Sequence, residues 1–227
     1  GRYGEAIDQL NKYIAALPQD PVGYYLQAQC LEKRQSYENA RVQYRRAIAL
    51  QKDGALRAKY EQDLQKMLVY WYAILNRKIE GHRREIAIDP NKPFNYLEIG
   101  KCYMWMEIWD KAEQWYDEYL MRDDNASPDE IIRYSIILAK TGSIPKGEKI
   151  LKKYTDRYPQ DWRLWSRYGY FTLLLGKRQI AKKAFETALA YKPFFKEAEE
   201  GLDHVNQQAY LAQEDPRAFE KEYPIDR

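Results

Sequence analysis

Two histidines, two cysteines and a scatter of acidic pairs are the groups with which this 227-residue chain could do chemistry. His82 and His204 stand among charged residues with no HExxH or comparable ligand spacing, which reads as solvated histidine. Cys30 and Cys102 lie far apart without a CxxC pair, so neither a disulfide framework nor a zinc site is indicated, and both read as small buried fillers. Asp123-Asp124 and Glu199-Glu200 lack the D-x-D-x-D-G order of a calcium loop and read as surface charge. The sequence contains no GxSxG elbow, no GxxxxGK[ST] phosphate loop and no GxGxxG turn. Asn125-Ala126-Ser127 fits a glycosylation acceptor, but Pro128 follows it directly. The chain is therefore expected to be non-enzymatic, with no metal and no cofactor.

The bulk properties exclude further classes. Hydrophobic residues make up 45% and charged residues 31%, a globular balance. Thirty-seven basic residues face 34 acidic ones, a formal charge of +3, and the pairs Arg45-Arg46, Arg83-Arg84, Lys152-Lys153 and Lys182-Lys183 are dispersed. A nucleic-acid surface needs a concentrated basic face, so none is expected. The longest nearly pure apolar run, residues 67–75, is about half of what a bilayer-crossing helix requires. The opening Gly1, without methionine, points to a processed or excised chain.

The elements that position these residues repeat. Residues 1–21, 35–53, 107–124 and 176–193 each carry a small residue followed four later by a large one: Ala6 and Leu10, Ala40 and Tyr44, Ala112 and Tyr116, Ala181 and Phe185. That spacing keeps both on one helical face. Upstream stands a partner helix with an aromatic and then a small residue, Tyr96 and Gly100 or Trp165 and Gly169. Gly100 precedes Ala112 by twelve residues and Gly169 precedes Ala181 by twelve, an offset that fixes where two antiparallel helices cross. Pro18, Pro90, Pro159 and Pro193 close helices, whereas Pro21, Pro93 and Pro128 open them.

This pattern resembles the tetratricopeptide-repeat family, whose unit is a helical hairpin of about 34 residues; Pro159 to Pro193 spans that period. The resemblance implies an all-α fold, a right-handed superhelical solenoid of antiparallel hairpins over residues 1–213. Its parts are a half repeat at 1–18, repeats at 21–53, 93–124, 128–159 and 162–193, a divergent unit at 55–90, a terminal helix at 194–213 and a tail at 214–227. Residues 128–159 place Ser135 and Gly147 at the small positions, and 55–90 lacks a clear small pair and reads as two elongated helices.

The resemblance also implies a role. In the family the first helix of each hairpin lines a groove that binds peptides or helices. Carried over residue by residue, the groove set is Tyr25, Gln29 and Lys33; Met67, Tyr70 and Trp71; Phe94, Leu97, Lys101, Met104 and Trp105; Ile132, Ile136 and Lys140; and Arg163, Ser166, Tyr170 and Leu173. Aromatic and aliphatic groups dominate it, and such groups anchor partners well. Gln29, Lys101 and Ile136 depart from the lysine, asparagine and arginine set with which some members grip a charged carboxyl-terminal tail, so that ligand is not expected. The partner is a protein or peptide. Two further readings accompany it: head-to-tail self-assembly through the unpaired terminal helices, and service as the recognition domain of a longer protein. Within residues 99–120, Tyr103, Tyr116 and Tyr119 are expected in packing, Met104 and Trp105 toward the groove, and Trp115 toward a neighbouring unit or the outer face.

Overall fold

A computed structural model of the chain describes residues 2–208, which form eleven α-helices and, among the described residues, no strand. The chain divides into two units, Gly1–Arg84 and Glu85–Arg227. Residues 209–213 of the expected terminal helix and the expected tail at 214–227 lie outside the described residues.

In unit 1, α1 (Arg2–Ala16) packs on α2 (Pro21–Lys33), which forms a hairpin with α3 (Tyr37–Leu50). In unit 2 the hairpins are α5 (Pro93–Trp105) with α6 (Trp109–Arg122), α7 (Pro128–Lys140) with α8 (Ile144–Arg157), and α9 (Trp162–Leu174) with α10 (Arg178–Tyr191), followed by α11 (Lys196–Gln208). The first helices start where the sequence places them. Pro21, Pro93 and Pro128 occupy the first turn, Asp20 accepts a hydrogen bond from Val22 N–H, and Asp161 accepts from Arg163 and Leu164. At α7 the Ser127 and Glu130 side chains each bind the other's backbone N–H, satisfying two donors that a helix start leaves open.

The small-and-large pattern is the packing code of each hairpin. A methyl group on Gly100 would meet the Tyr116 ring at 2.7 Å, and one on Gly169 would meet Phe185 at 2.7 Å. Glycine is thus the residue that lets these backbones approach. Ala40, Tyr44, Ala47, Ala112, Tyr116, Ala181, Phe185 and Ala188 are buried, whereas Ala6 and Leu10 of α1 are only half-buried. Gly147 works differently, because the ring nearest to it is Phe171 of the following hairpin. The turn inside each hairpin needs one left-handed residue, at Gln35 (φ 60°), Glu107 (φ 60°), Gly142 (φ 75°) and Gly176 (φ 72°).

That turn explains the one departure from the expected elements. Residues 54–88 are a single helix of 35 residues, α4 (Gly54–Ile88), rather than two helices. Counting 34 to 36 residues on from Gln35 reaches Val69, Tyr70 and Trp71. A β-branched or bulky aromatic side chain is strongly disfavoured at positive φ, and no proline or loop-forming cluster interrupts the segment, so the helix continues through the place where a turn belongs. α4 buries one stripe, Tyr60, Leu64, Met67, Trp71, Leu75 and Ile79, at spacings of three and four.

Candidate partner-binding surface

The first helices owe their placement to an anchor at their fourth residue. Tyr24 Oη donates to the Pro18 carbonyl at 3.0 Å, Tyr96 Oη to the Pro90 carbonyl at 3.0 Å, and Trp165 Nε1 to the Pro159 carbonyl at 2.7 Å. Each bond ties the helix back to the proline loop six residues upstream. Arg46 lies over the Tyr24 ring, and Arg122 lies 3.9 Å from the Tyr96 ring centre while its Nε donates to the same Pro90 carbonyl. At α7 the fourth residue is Ile131, which has no donor, and there the Ser127–Glu130 pair fixes the start. These anchors were missed in the sequence, although an aromatic six residues after a loop proline recurs at all three places.

Acidic side chains hold neighbouring helices together. Tyr134 donates to Asp117, and Lys146 binds Glu113 at 2.8 Å and Asp117 at 2.5 Å, tying α6 to α7 and α8. Burial and then the Asp117 bond push the Tyr134 hydroxyl well above its ordinary range. Burial opposes ionisation of Glu113, but bonds from Lys146, Thr141 and Ser143 hold its carboxyl below the usual value. Asp124, bound by Lys153 and Arg157, is lowered to about 2. Tyr25 Oη donates to Asp63 at 2.7 Å and its ring stacks on Tyr60 at 4.0 Å, fastening α2 to α4; burial and then that bond raise the Tyr25 hydroxyl.

The groove candidates divide by exposure. Tyr25, Met67, Trp71, Leu97, Met104 and Leu173 are buried. Leu173 belongs to the core that α9, α10 and α11 share with Ala181, Phe185, Ala198 and Val205. Trp71 packs against Tyr37 and Arg41 of α3. Gln29, Lys101, Trp105, Ile132, Ile136 and Tyr170 are half-buried, and Tyr70 and Phe94 are exposed. Several of the half-buried groups have partners: Gln29 donates to Tyr25 Oη, Lys101 pairs with Glu98 at 2.8 Å, and Tyr170 Oη donates to the Glu197 carbonyl. Of the additional positions, Ser166 is buried, Arg163 binds Asp161 and Asp129, and Lys33 and Lys140 are exposed.

In residues 99–120, Tyr103, Tyr116, Tyr119 and Cys102 are buried, as their places in the hairpin require. Trp115 differs from its expected direction. It packs across its own hairpin, with its Cβ beside Gly100 and its ring 5.8 Å from Tyr96. Among the described residues no group of three or more His, Cys, Asp or Glu converges as a metal site, and no helix is long and apolar enough to cross a membrane.

Comparison with known proteins bears on this architecture. The tetratricopeptide repeat family model matches residues 1–55. The crystal structure of MamA aligns with a TM-score of 0.54 at 17% identity, over 59% of this chain and 77% of that one. That of YrrB, a TPR protein described as having an unusual peptide-binding site, aligns at 0.50 and 15% identity, over 84% of this chain and 96% of that one. Residues 1–55 match the tetratricopeptide repeat family, and the repeated helical hairpins have the fold of tetratricopeptide-repeat structures. Identities this low establish the fold alone. Within the tetratricopeptide frame, 55–90 is the irregular place, since α4 substitutes one long helix for a hairpin. No curated protein matches the sequence.

Proposed function

We propose that the chain is a non-enzymatic protein-interaction scaffold, and that the first-helix face of unit 2 receives a peptide or a helix of a partner. The observation that carries this is a row of partly exposed apolar groups along the first helices of unit 2. Phe94 is 61% exposed at the start of α5, and Trp105, Ile132, Ile136 and Tyr170 are half-buried along α5, α7 and α9. The second helix α8 exposes charge, Lys149, Lys152, Lys153 and Asp156, whereas α6 and α10 expose Met121, Ile180 and Tyr191 singly among charged groups. Partly exposed aromatic and branched groups on pre-positioned helices give up little side-chain freedom on binding and remove much apolar surface from water. The burial of Met104 moves the anchoring role to Trp105 and Phe94, with Ile132 and Ile136 as the apolar floor. Similarity to YrrB, named as a peptide binder, supports the reading at the level of the class of activity.

The test begins with peptides selected from a random library against the whole chain. Phe94→Ala with Trp105→Ala should weaken the selected peptides by about 2 kcal/mol or more. Calorimetry gives the affinity and circular dichroism verifies an unchanged helical spectrum. An unaltered affinity in a well-folded double variant removes the assignment.

A further inference from the structure

Unit 1 presents a second feature, on the solvent side of α4. Residues 67–75 contain no charged group, yet only Met67, Trp71 and Leu75 of that run are buried. Val69 is 71% exposed and Tyr70 59% exposed, with Ala73 beside them one turn on. Two such groups side by side on a charge-free stretch make an apolar patch, of the kind that marks interaction sites.

The charges beyond the patch are predominantly cationic, with Arg77, Lys78, Arg83 and Arg84 against the exposed Glu80 and Glu85. Along α4, Arg57 pairs with Glu61, Lys66 with Asp63, and Arg83 with Glu80, while Asp63 also accepts the Tyr25 hydroxyl. Arg77, Lys78 and Arg84 make no ion pair among the described residues, and all three are exposed. Tyr70, Arg77 and Arg84 recur every seven residues, so they lie on one face, with Ala73 between them. The result is a strip about 21 Å long, at 1.5 Å per residue, apolar at one end and net cationic at the other, where Glu80, paired with Arg83, lies one turn from both Arg77 and Arg84.

We infer that this strip docks one amphipathic helix of a partner protein, apolar at the end that meets Val69 and Tyr70 and acidic at the end that meets Arg77 and Arg84. A single helix fits the dimensions, because the opposite side of α4 is committed to burying Tyr60, Leu64, Met67 and Trp71. What remains is one ridge of side chains, the width of a helix-on-helix contact. A membrane is the poorer fit, since interfacial binding requires a broad apolar face to sink between headgroups. The inference rests on the scaffold reading only for the existence of a protein partner, and its site is separate from Phe94 and Trp105.

Two synthetic helices with the same apolar half, one ending in three glutamates and the other in three lysines, are the probes, titrated against the whole chain by fluorescence anisotropy. The glutamate helix should bind about tenfold tighter or more, a preference that falls with added salt. Arg77→Glu with Arg84→Glu should reverse the preference, and Val69→Ser with Tyr70→Ser should weaken both probes, each with its helical spectrum intact. Phe94→Ala with Trp105→Ala should change neither, so failure here and failure of the first-helix face are read separately. Equal affinity for the two probes, or a preference untouched by the charge reversal, overturns the inference. So does loss of probe binding because copies of the chain associate through the strip in sedimentation, or stronger uptake by phosphatidylserine vesicles than by the glutamate helix.

Discussion

At the residue scale the fold depends on a handful of glycines that act for two different reasons. Gly169 is a matter of space: an added methyl would meet three Phe185 ring atoms at 2.7 to 2.9 Å. Phe185 has no room to withdraw, because Gly201 and the Tyr170 ring also press on it. Gly169→Ala should therefore destabilise the chain by about 1 kcal/mol, the balance of an overpacking cost of roughly 1–3 kcal/mol against a helix-propensity gain of about 1 kcal/mol. Gly176 is a matter of backbone: nothing lies within 4 Å of an added methyl, but its φ is 72°. Gly176→Ala should cost about 1–2 kcal/mol through conformation alone. Urea denaturation of the two variants measures both, and a stabilised Gly169→Ala contradicts the packing account. Gly100 and Gly169 are legible in the sequence from their constant offset to Ala112 and Ala181. Gln35 and Glu107 are not, because nothing in a polar side chain announces a left-handed backbone.

At the scale of elements, ten of the eleven helices follow from proline punctuation and the period of small residues. The exception is α4, and its cause is the same turn chemistry that shapes the others. A hairpin repeat needs a left-handed residue between its helices, and the run through Val69, Tyr70 and Trp71 cannot provide one cheaply. The repeat period favours splitting the segment, although no glycine, proline or asparagine lies where the turn would have to be. Ala73, exposed near the middle of α4, separates the two descriptions. Ala73→Pro removes a helical hydrogen bond and clashes with the preceding turn, so a continuous helix should lose about 3 kcal/mol or more. The loss is read from the thermal midpoint, and a variant as stable as the parent contradicts the single helix. The aromatic–proline anchors belong to this scale too. They were hidden because they join a side chain to a backbone carbonyl, a relation that apolar periodicity does not register.

At the scale of the whole molecule, two sets of partly exposed apolar groups stand out among the described residues, one on the first helices of unit 2 and one on α4. The reading of head-to-tail assembly through paired terminal helices is weakened by α11. Tyr96, Gly100 and Tyr103 of α5 meet α6, and three periods on, the matching α11 positions are Glu199, Asp203 and Asn206, all exposed. A helix joining there would set its apolar face against carboxylates, at a desolvation cost that burial of a few side chains does not offset. The candidate surface was legible in the sequence as a class of position, the first-helix face, but burial divided it. Leu97, Met104 and Leu173 went into the core, because a helix flanked on both sides by neighbours leaves only a narrow ridge of side chains in reach of solvent. The central claim is that partners bind on the first helices of unit 2. Hydrogen exchange of the whole chain, with and without a saturating selected peptide, tests it most directly. Slower exchange concentrated in α5, α7 and α9 is the predicted result, and protection confined to α6, α8 and α10 would contradict it.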